Sequence, residues 1–440
     1  MSSLPLRPSR SQVAALLGAS LTTSMSNLAQ TTVLGLLVYK LTDSELDLGF
    51  LGLAEFAPAA LLVLVAGAVV DRFDRRRVAA IGALSDAVVA LALAWYVHGS
   101  RLSTTPIFLL VLAFGAGQAF LSPALRSLPA AMVPNEGVPW LVARRSIAGQ
   151  TATIIGPVLG GLLYGAGVWA PLVAAAALSA TGAASVLAIR LPDQAPGRLG
   201  ARLANPVGDD QVDHVLEDGI PATAGGLHEA LEGLRFVRAQ SIVLGAISLD
   251  LFAVLFGGAV TLLPAIAVRL HTGAVGLGWL RAAAGLGAGA MTLIIAVRPV
   301  QRRVGRVLLG VVAVFGVWTI VLGVTRSYAL AFIAMFGLSA ADAVSVFIRS
   351  TLVPLATPPE MRGRVLAVEN VFIGASNQLG GFESGVVGQL LGTTGSVVLG
   401  GIGTLVVALA WGVLFAPLRR LDRFPAPPRS PASGDAPGPA

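Results

Sequence analysis

The chain has 440 residues, of which 55% are hydrophobic and only 12% charged, and its mean hydropathy is +0.80. A soluble domain carries about 25% charged residues, so this chain lacks the polar coat of a water-facing globule. Cysteine is absent and the one lysine, Lys40, follows no GxxxxG loop, which excludes disulfides, thiolate metal sites, Cys nucleophiles and a P-loop ATPase within the chain.

A membrane helix uses about 20 apolar residues, so the length suits roughly a dozen spans. Apolar runs bounded by Gly, Pro and charge predict an all-α membrane protein with twelve transmembrane helices, near 13–38, 48–70, 78–98, 106–128, 145–167, 169–189, 241–267, 275–297, 307–325, 328–350, 366–391 and 394–416. No small-residue cleavage site follows Arg7 and Arg10, so the first span is read as retained. Residues 191–240 mix Pro, Gly and both charge signs, and separate six spans from six; a short amphipathic helix is expected near 227–239. The expected organisation is a six-helix bundle over 1–190, a cytoplasmic linker over 191–240, a second six-helix bundle over 241–418 and a disordered cytoplasmic tail over 419–440.

The net charge of +7 and pI near 10.8 find their explanation on this map. With an even number of spans both termini share a side, and 25 of the 30 basic residues fall on it. The positive-inside bias makes that side cytoplasmic, in a multi-pass protein of the plasma (inner) membrane, and the basicity is a topology signal with no nucleic-acid partner implied.

A shift of about 224 residues brings Arg126 and Ser127 within one position of Arg349 and Ser350, and Gly160-Gly161 onto Ser384-Gly385. A parallel six-helix duplication of this kind puts a pseudo-two-fold axis along the membrane normal and a binding cavity between the halves.

Two motifs carry a family resemblance. After the second span, Gly67, Asp71, Arg72, Asp74, Arg75, Arg76 and Arg77 form a small-residue, acid and arginine loop suited to a charge latch. In the fifth span, Gly156, Pro157, Gly160 and Gly161 combine a helix-bending proline with glycines that admit close packing. The first resembles the G-x-x-x-D-R-x-G-R-R/K loop of the major facilitator superfamily, with Asp74 in place of its glycine, where a less tight turn is expected. The second resembles that superfamily's G-P-x-x-G-G antiporter signature; ordinary Gly-rich packing is the plainer account of it. The stretches 248–281 and 341–385 resemble the exporter branch that includes the enterobactin (siderophore) exporter. The resemblance implies the major facilitator fold, with spans 1, 4, 7 and 10 lining the cavity.

Ionisable groups at membrane depth are costly and by default line a functional cavity. They are Glu55, Asp86, Asp250, Arg281, Asp342, Glu369 and Glu383. Asp250 and Asp342 fall near mid-membrane at about 1.5 Å of rise per residue; together with Glu55 they are the proton-coupling candidates, paired structural acids being the alternative. The two aspartates are placed to approach each other, or Arg281 to neutralise Asp250. Asn27, Gln30, Arg281 and Asn377 are the polar cavity candidates. Arg126 and Arg349, at matching places in the repeat, are read as snorkelling anchors or, alternatively, as attractors for an anionic substrate.

The four histidines sit in loops or at span ends and form no cluster, so no metal site, cofactor or enzymatic activity is expected. The expected function is secondary active transport: proton-coupled efflux of a small amphipathic compound such as a siderophore, drug or secondary metabolite, by alternating access. The alternatives are a lipid or lysolipid transporter of the same fold and, further off, a membrane enzyme or a sensor.

Overall fold

The computed structural model describes residues 8–99, 102–191 and 227–425. They are helical throughout, with no strand among them. The first half consists of α1 (Arg10–Thr42), α2 (Glu45–Arg72), α3 (Arg75–Tyr96), α4 (Thr104–Met132), α5 (Val138–Leu163) and α6 (Trp169–Leu187). Next come a short helix α7 (Leu227–Ala239), then α8 (Ser241–Phe256), α9 (Leu263–Arg269), α10 (Gly273–Val297), α11 (Val304–Val324), α12 (Tyr328–Leu355), α13 (Pro359–Leu414) and α14 (Ala416–Arg420).

Local chemistry explains the element ends. Ser44 caps α2, its hydroxyl accepting from the Asp47 N–H at 3.2 Å, with Glu45 and Asp47 in the first turn. The seventh predicted span is broken: α8 stops at Phe256 and α9 resumes at Leu263. Paired Gly257 and Gly258 weaken the helix by about 1 kcal/mol each. The space a Cβ would take at Gly258 is filled by the Gly380 carbonyl of α13. The last two spans are continuous in helix except at Gly392, whose φ of 74° turns the chain back without a loop. With α13 crossing twice, α8 and α9 making one broken span, and the Ser/Thr-rich α1 counted, the helices make twelve crossings. The amphipathic helix expected near 227–239 is α7. Residues 192–226 of the expected linker, and 426–440 of the expected tail, lie outside the described residues.

The start of the tail differs from the expectation of disorder. Leu418 is fully buried, and the N–H groups of Val304 and Gly305 donate to the carbonyls of Asp422 and Leu421 at 3.3 and 3.0 Å. Arg303, at φ 54°, turns the chain so that these first-turn donors of α11 find acceptors in residues 421–422.

The end of the bundle where α1 begins and α14 ends is called the near side below. Apolar cores there stay within one half: Leu16, Val78, Leu125, Leu141 and Val186 in the first, and Ala246, Leu308, Ile348 and Leu352 in the second. On the far side one core crosses between them, joining Leu36, Tyr39 and Leu48 to Leu263, Ile266, Leu277 and Met335. Among the described residues, the apolar core that joins the halves lies on the far side, and none joins them on the near side.

Candidate functional site

Two groups of polar side chains lie at membrane depth. The first belongs to the second half alone. Arg349 of α12 is 4% exposed, and its Nη2 meets the Asp250 carboxylate of α8 at 2.7 Å. Its Nη1 lies 4.0 Å from Glu369 of α13. Ser345, one turn back on α12, accepts weakly from Nε at 3.5 Å. Asp342 stands on the same helix face as Ser345 and Arg349, spaced three and seven residues away, and with Asp250, Ser345 and Phe315 it lines a small pocket. Two carboxylates thus lie within 4.0 Å of one guanidinium, and a third, Asp342, shares a pocket with Asp250. One arginine balances one of them, so the cluster holds an acid excess that a proton or a cation would relieve.

This corrects two expectations. Arg349 does not snorkel: it is buried because α8, α12 and α13 converge on it. Asp250 is paired by Arg349 and not by Arg281, which sits on the side of α10 that faces the first half. Asp250 and Asp342 do share one pocket. The signal for Arg349 was readable as the i, i+3, i+7 stripe of Asp342, Ser345 and Arg349; for Glu369 no local pattern points to its partner.

The second group bridges the halves. Arg281 Nη1 donates to Thr31 and Thr32 of α1 at 3.4 and 3.3 Å. Its Nε is buried without a partner. Glu55 of α2 lies within Coulombic range of Arg281, and Asp86 within range of Glu55. Asp86, 2% exposed on α3, accepts from Gln118 Nε2 at 2.6 Å. The polar stripe of the first span splits. Thr31 meets Arg281, while Gln30 is fully buried with neither amide atom partnered, and Asn27 is half-buried. Asn377 of α13 is exposed and donates to Ile373 of its own helix.

The Gly-rich motif of α5 works in two directions. Gly156 and Gly160 pack on α1 at Met25, Leu28 and Ala29, whereas Pro157 and Gly161 face α10 in the other half, at Gly278 and Ala274. A Cβ at Gly161 would collide with the Ala274 carbonyl. The repeat-related seam joins α2 to α13: Gly385 lies against Glu45 and Gly49, and Gly49 against Phe382. Thr393 donates to Glu45 at 2.7 Å and Ser44 to Gln389 at 3.0 Å. Among the described residues, every hydrogen bond between the two halves lies at mid-depth or on the far side.

The near-side loop is engaged within its own half. Arg75 and Arg76 donate to carbonyls at the ends of α4 and α6, Ser127 and Ile189, at 3.3 and 2.8 Å, where helix dipoles favour cations. Asp74 caps α3 at φ −62°, a conformation open to any residue, so glycine is not needed in this turn. It pairs with Arg76 at 2.9 Å, and that hydrogen bond holds its carboxyl below the usual carboxylate range. Asp71 and Arg72 are exposed and make no ion pair among the described residues; Gly67 is half-buried four residues before Asp71.

Two six-helix halves, joined at mid-depth and on the far side around buried charges, have the architecture of a membrane transporter built from two bundles. The profile of the Major Facilitator Superfamily matches residues 15–372, and the chain belongs to that family. It is 26% identical over 378 residues to the enterobactin exporter EntS of Citrobacter koseri, covering 83% of this chain and 82% of that protein. Among solved structures it is similar to a POT family transporter in complex with 5-aminolevulinic acid, with TM-score 0.69, 11% identity, and 92% and 96% of the two chains covered. The nucleoside transporter NupG gives TM-score 0.66 at 16% identity, covering 92% of this chain and 99% of that one. All are transporters and none an enzyme, in keeping with the expectation from the histidines.

Proposed function

We propose that the protein exports a small amphipathic compound from the cytoplasm across the plasma membrane in exchange for protons, and that the Arg349 cluster is where the proton is carried. The supporting observation is the acid excess around Arg349: Asp250, Glu369 and Asp342 in one buried place, all carried by the same half. Such a cluster takes up a proton from whichever side the cavity opens to, and rocking moves it as a unit. Arginines concentrate on the near side, so by charge bias that side is cytoplasmic and the conformation is inward-facing. Similarity to EntS supports efflux and a siderophore-like cargo. A pathway lined by Arg281 and Glu55 favours a polar-headed solute over a lipid. The bundles over 1–190 and 241–418 are the rocking bodies, with Pro157 and its glycines as the pivot.

The test is efflux from vesicles with and without a proton gradient, for the wild type, Asp250→Asn, Asp342→Asn and Glu369→Gln. Wild-type efflux should collapse with the gradient, and Asp250→Asn should abolish gradient-driven efflux while leaving passive exchange. Efflux unchanged after the gradient is removed would refute proton coupling.

A further inference from the structure

The Arg281 group, unlike the Arg349 cluster, is incomplete. Arg281 lies eight residues from the far end of α10, Glu55 ten from the far end of α2, and Thr31 eleven from that of α1. At about 1.5 Å per residue these depths agree to within one helical turn. Arg281 belongs to the second half and Glu55 to the first, and both are half-buried. Arg281 and Glu55 nevertheless form no ion pair, and Glu55 makes no hydrogen bond among the described residues. Among the described residues the guanidinium has only two long bonds, to neutral hydroxyls, and its Nε lacks an acceptor. Gly35 of α1 lies beside the guanidinium, and the space a Cβ would take there is bounded closely by Pro264. A guanidinium with an unpartnered nitrogen on one half and a carboxyl without a hydrogen bond among the described residues on the other, at similar depth, present two complementary attachment points for one molecule.

We propose that Arg281 and Glu55 form a substrate subsite for a group that pairs an anionic oxygen with an adjacent hydroxyl or amine donor, the oxygen seated on Arg281 with Thr31 and Thr32 and the donor on Glu55. This rests on the transporter reading above. It adds a substrate class: hydroxy acids and their relatives on an apolar body, in place of any amphipathic compound. Asp86, which accepts from Gln118, stands within Coulombic range of Glu55.

The purified full chain in detergent is titrated calorimetrically with mandelate, which has a carboxylate beside a hydroxyl, with phenylacetate, which lacks the hydroxyl, and with benzyl alcohol, which lacks the carboxylate. Mandelate should bind tightest. Arg281→Gln should weaken mandelate and phenylacetate about tenfold or more, the loss of a charge-assisted pair. Arg281→Lys, which keeps the charge, should recover part of the loss and shows that the fold survives. Glu55→Gln should erase the advantage of mandelate over phenylacetate without weakening phenylacetate. Absence of mandelate binding, equal binding of mandelate and phenylacetate to the wild type, or mandelate affinity untouched by Arg281→Gln would each overturn the assignment. The assay uses no gradient. A gradient-independent transporter that binds mandelate through Arg281 would refute proton coupling alone, and a coupled one that ignores mandelate would refute the subsite alone.

Discussion

Two arginines at membrane depth are held in opposite ways. Arg349 is enclosed by three helices of one half and paired at 2.7 Å, while Arg281 reaches from one half to hydroxyls of the other at 3.3 and 3.4 Å. Rocking the halves leaves the first arrangement whole and must break the second. In the proposed proton-coupled cycle, charge kept within one half stores the proton, and charge that spans the boundary is made and unmade with the conformation. The repeat sharpens the contrast, because Arg126, the counterpart of Arg349 in the first half, is exposed and has no carboxylate partner among the described residues.

The largest effect that would break this comparison is expected from Arg349→Ala. Stranding Asp250 and Glu369 in the core should cost about 3–5 kcal/mol and lower the thermal unfolding midpoint of the purified protein far more than Arg126→Ala, which should be near neutral. Equal effects of the two would show that the buried pair is no stronger than a surface charge.

Next comes the seam. Gly161→Leu places a side chain against the Ala274 carbonyl and should disfavour the far-side closed state by about 1–3 kcal/mol. Because the chain has no cysteine, Ser44→Cys and Gln389→Cys can carry spin labels, and the distance between them should lengthen in that variant. An unchanged distance distribution would mean that α5 and α10 do not set the closed state.

A smaller shift in the same label distance is expected from Thr31→Val with Thr32→Val, which removes the two long hydrogen bonds that the Arg281 guanidinium donates across the boundary, at about 1 kcal/mol each. The same double substitution should move the unfolding midpoint only slightly, because inside the first half it removes only the hydroxyl bonds of Thr31 and Thr32 to the Leu28 carbonyl of their own helix.

The smallest effect belongs to Asp74→Ala at the near-side loop, about 0.5–1 kcal/mol. Its folded-state carboxyl is held low by Arg76, so its contribution is present above the ordinary carboxylate range and is lost as pH falls through the lowered value. Wild type and variant should therefore differ in unfolding midpoint at neutral pH and converge in strong acid.

Much of the fold was legible in the residues because its signals are local. Apolar run lengths gave the crossings, and the turn at Gly392 falls in the gap expected between the last two spans. The amphipathic 227–239 segment is α7 as read. The break in the seventh span was missed because Gly257 and Gly258 sit in an apolar window, and their role depends on Gly380 of a distant helix. The loss of glycine at Asp74 mattered less than expected, since the turn there uses ordinary negative φ and the acid becomes a cap. Of the candidate acids, Asp250 was found but its partner was not: an arginine six residues from the near end of α12 reads as an anchor until α8 and α13 are seen packed against it.

Scarcity of charge, set by the sequence alone, determined that this is a membrane protein with a short inventory of functional ions, and hydropathy with motif spacing determined the duplicated twelve-helix plan. Which of those ions meet, which stay unpaired and which half each serves was decided by tertiary packing. Side-chain reach is a few ångströms, and helices more than a hundred residues apart in sequence become neighbours only through the way their small residues interlock.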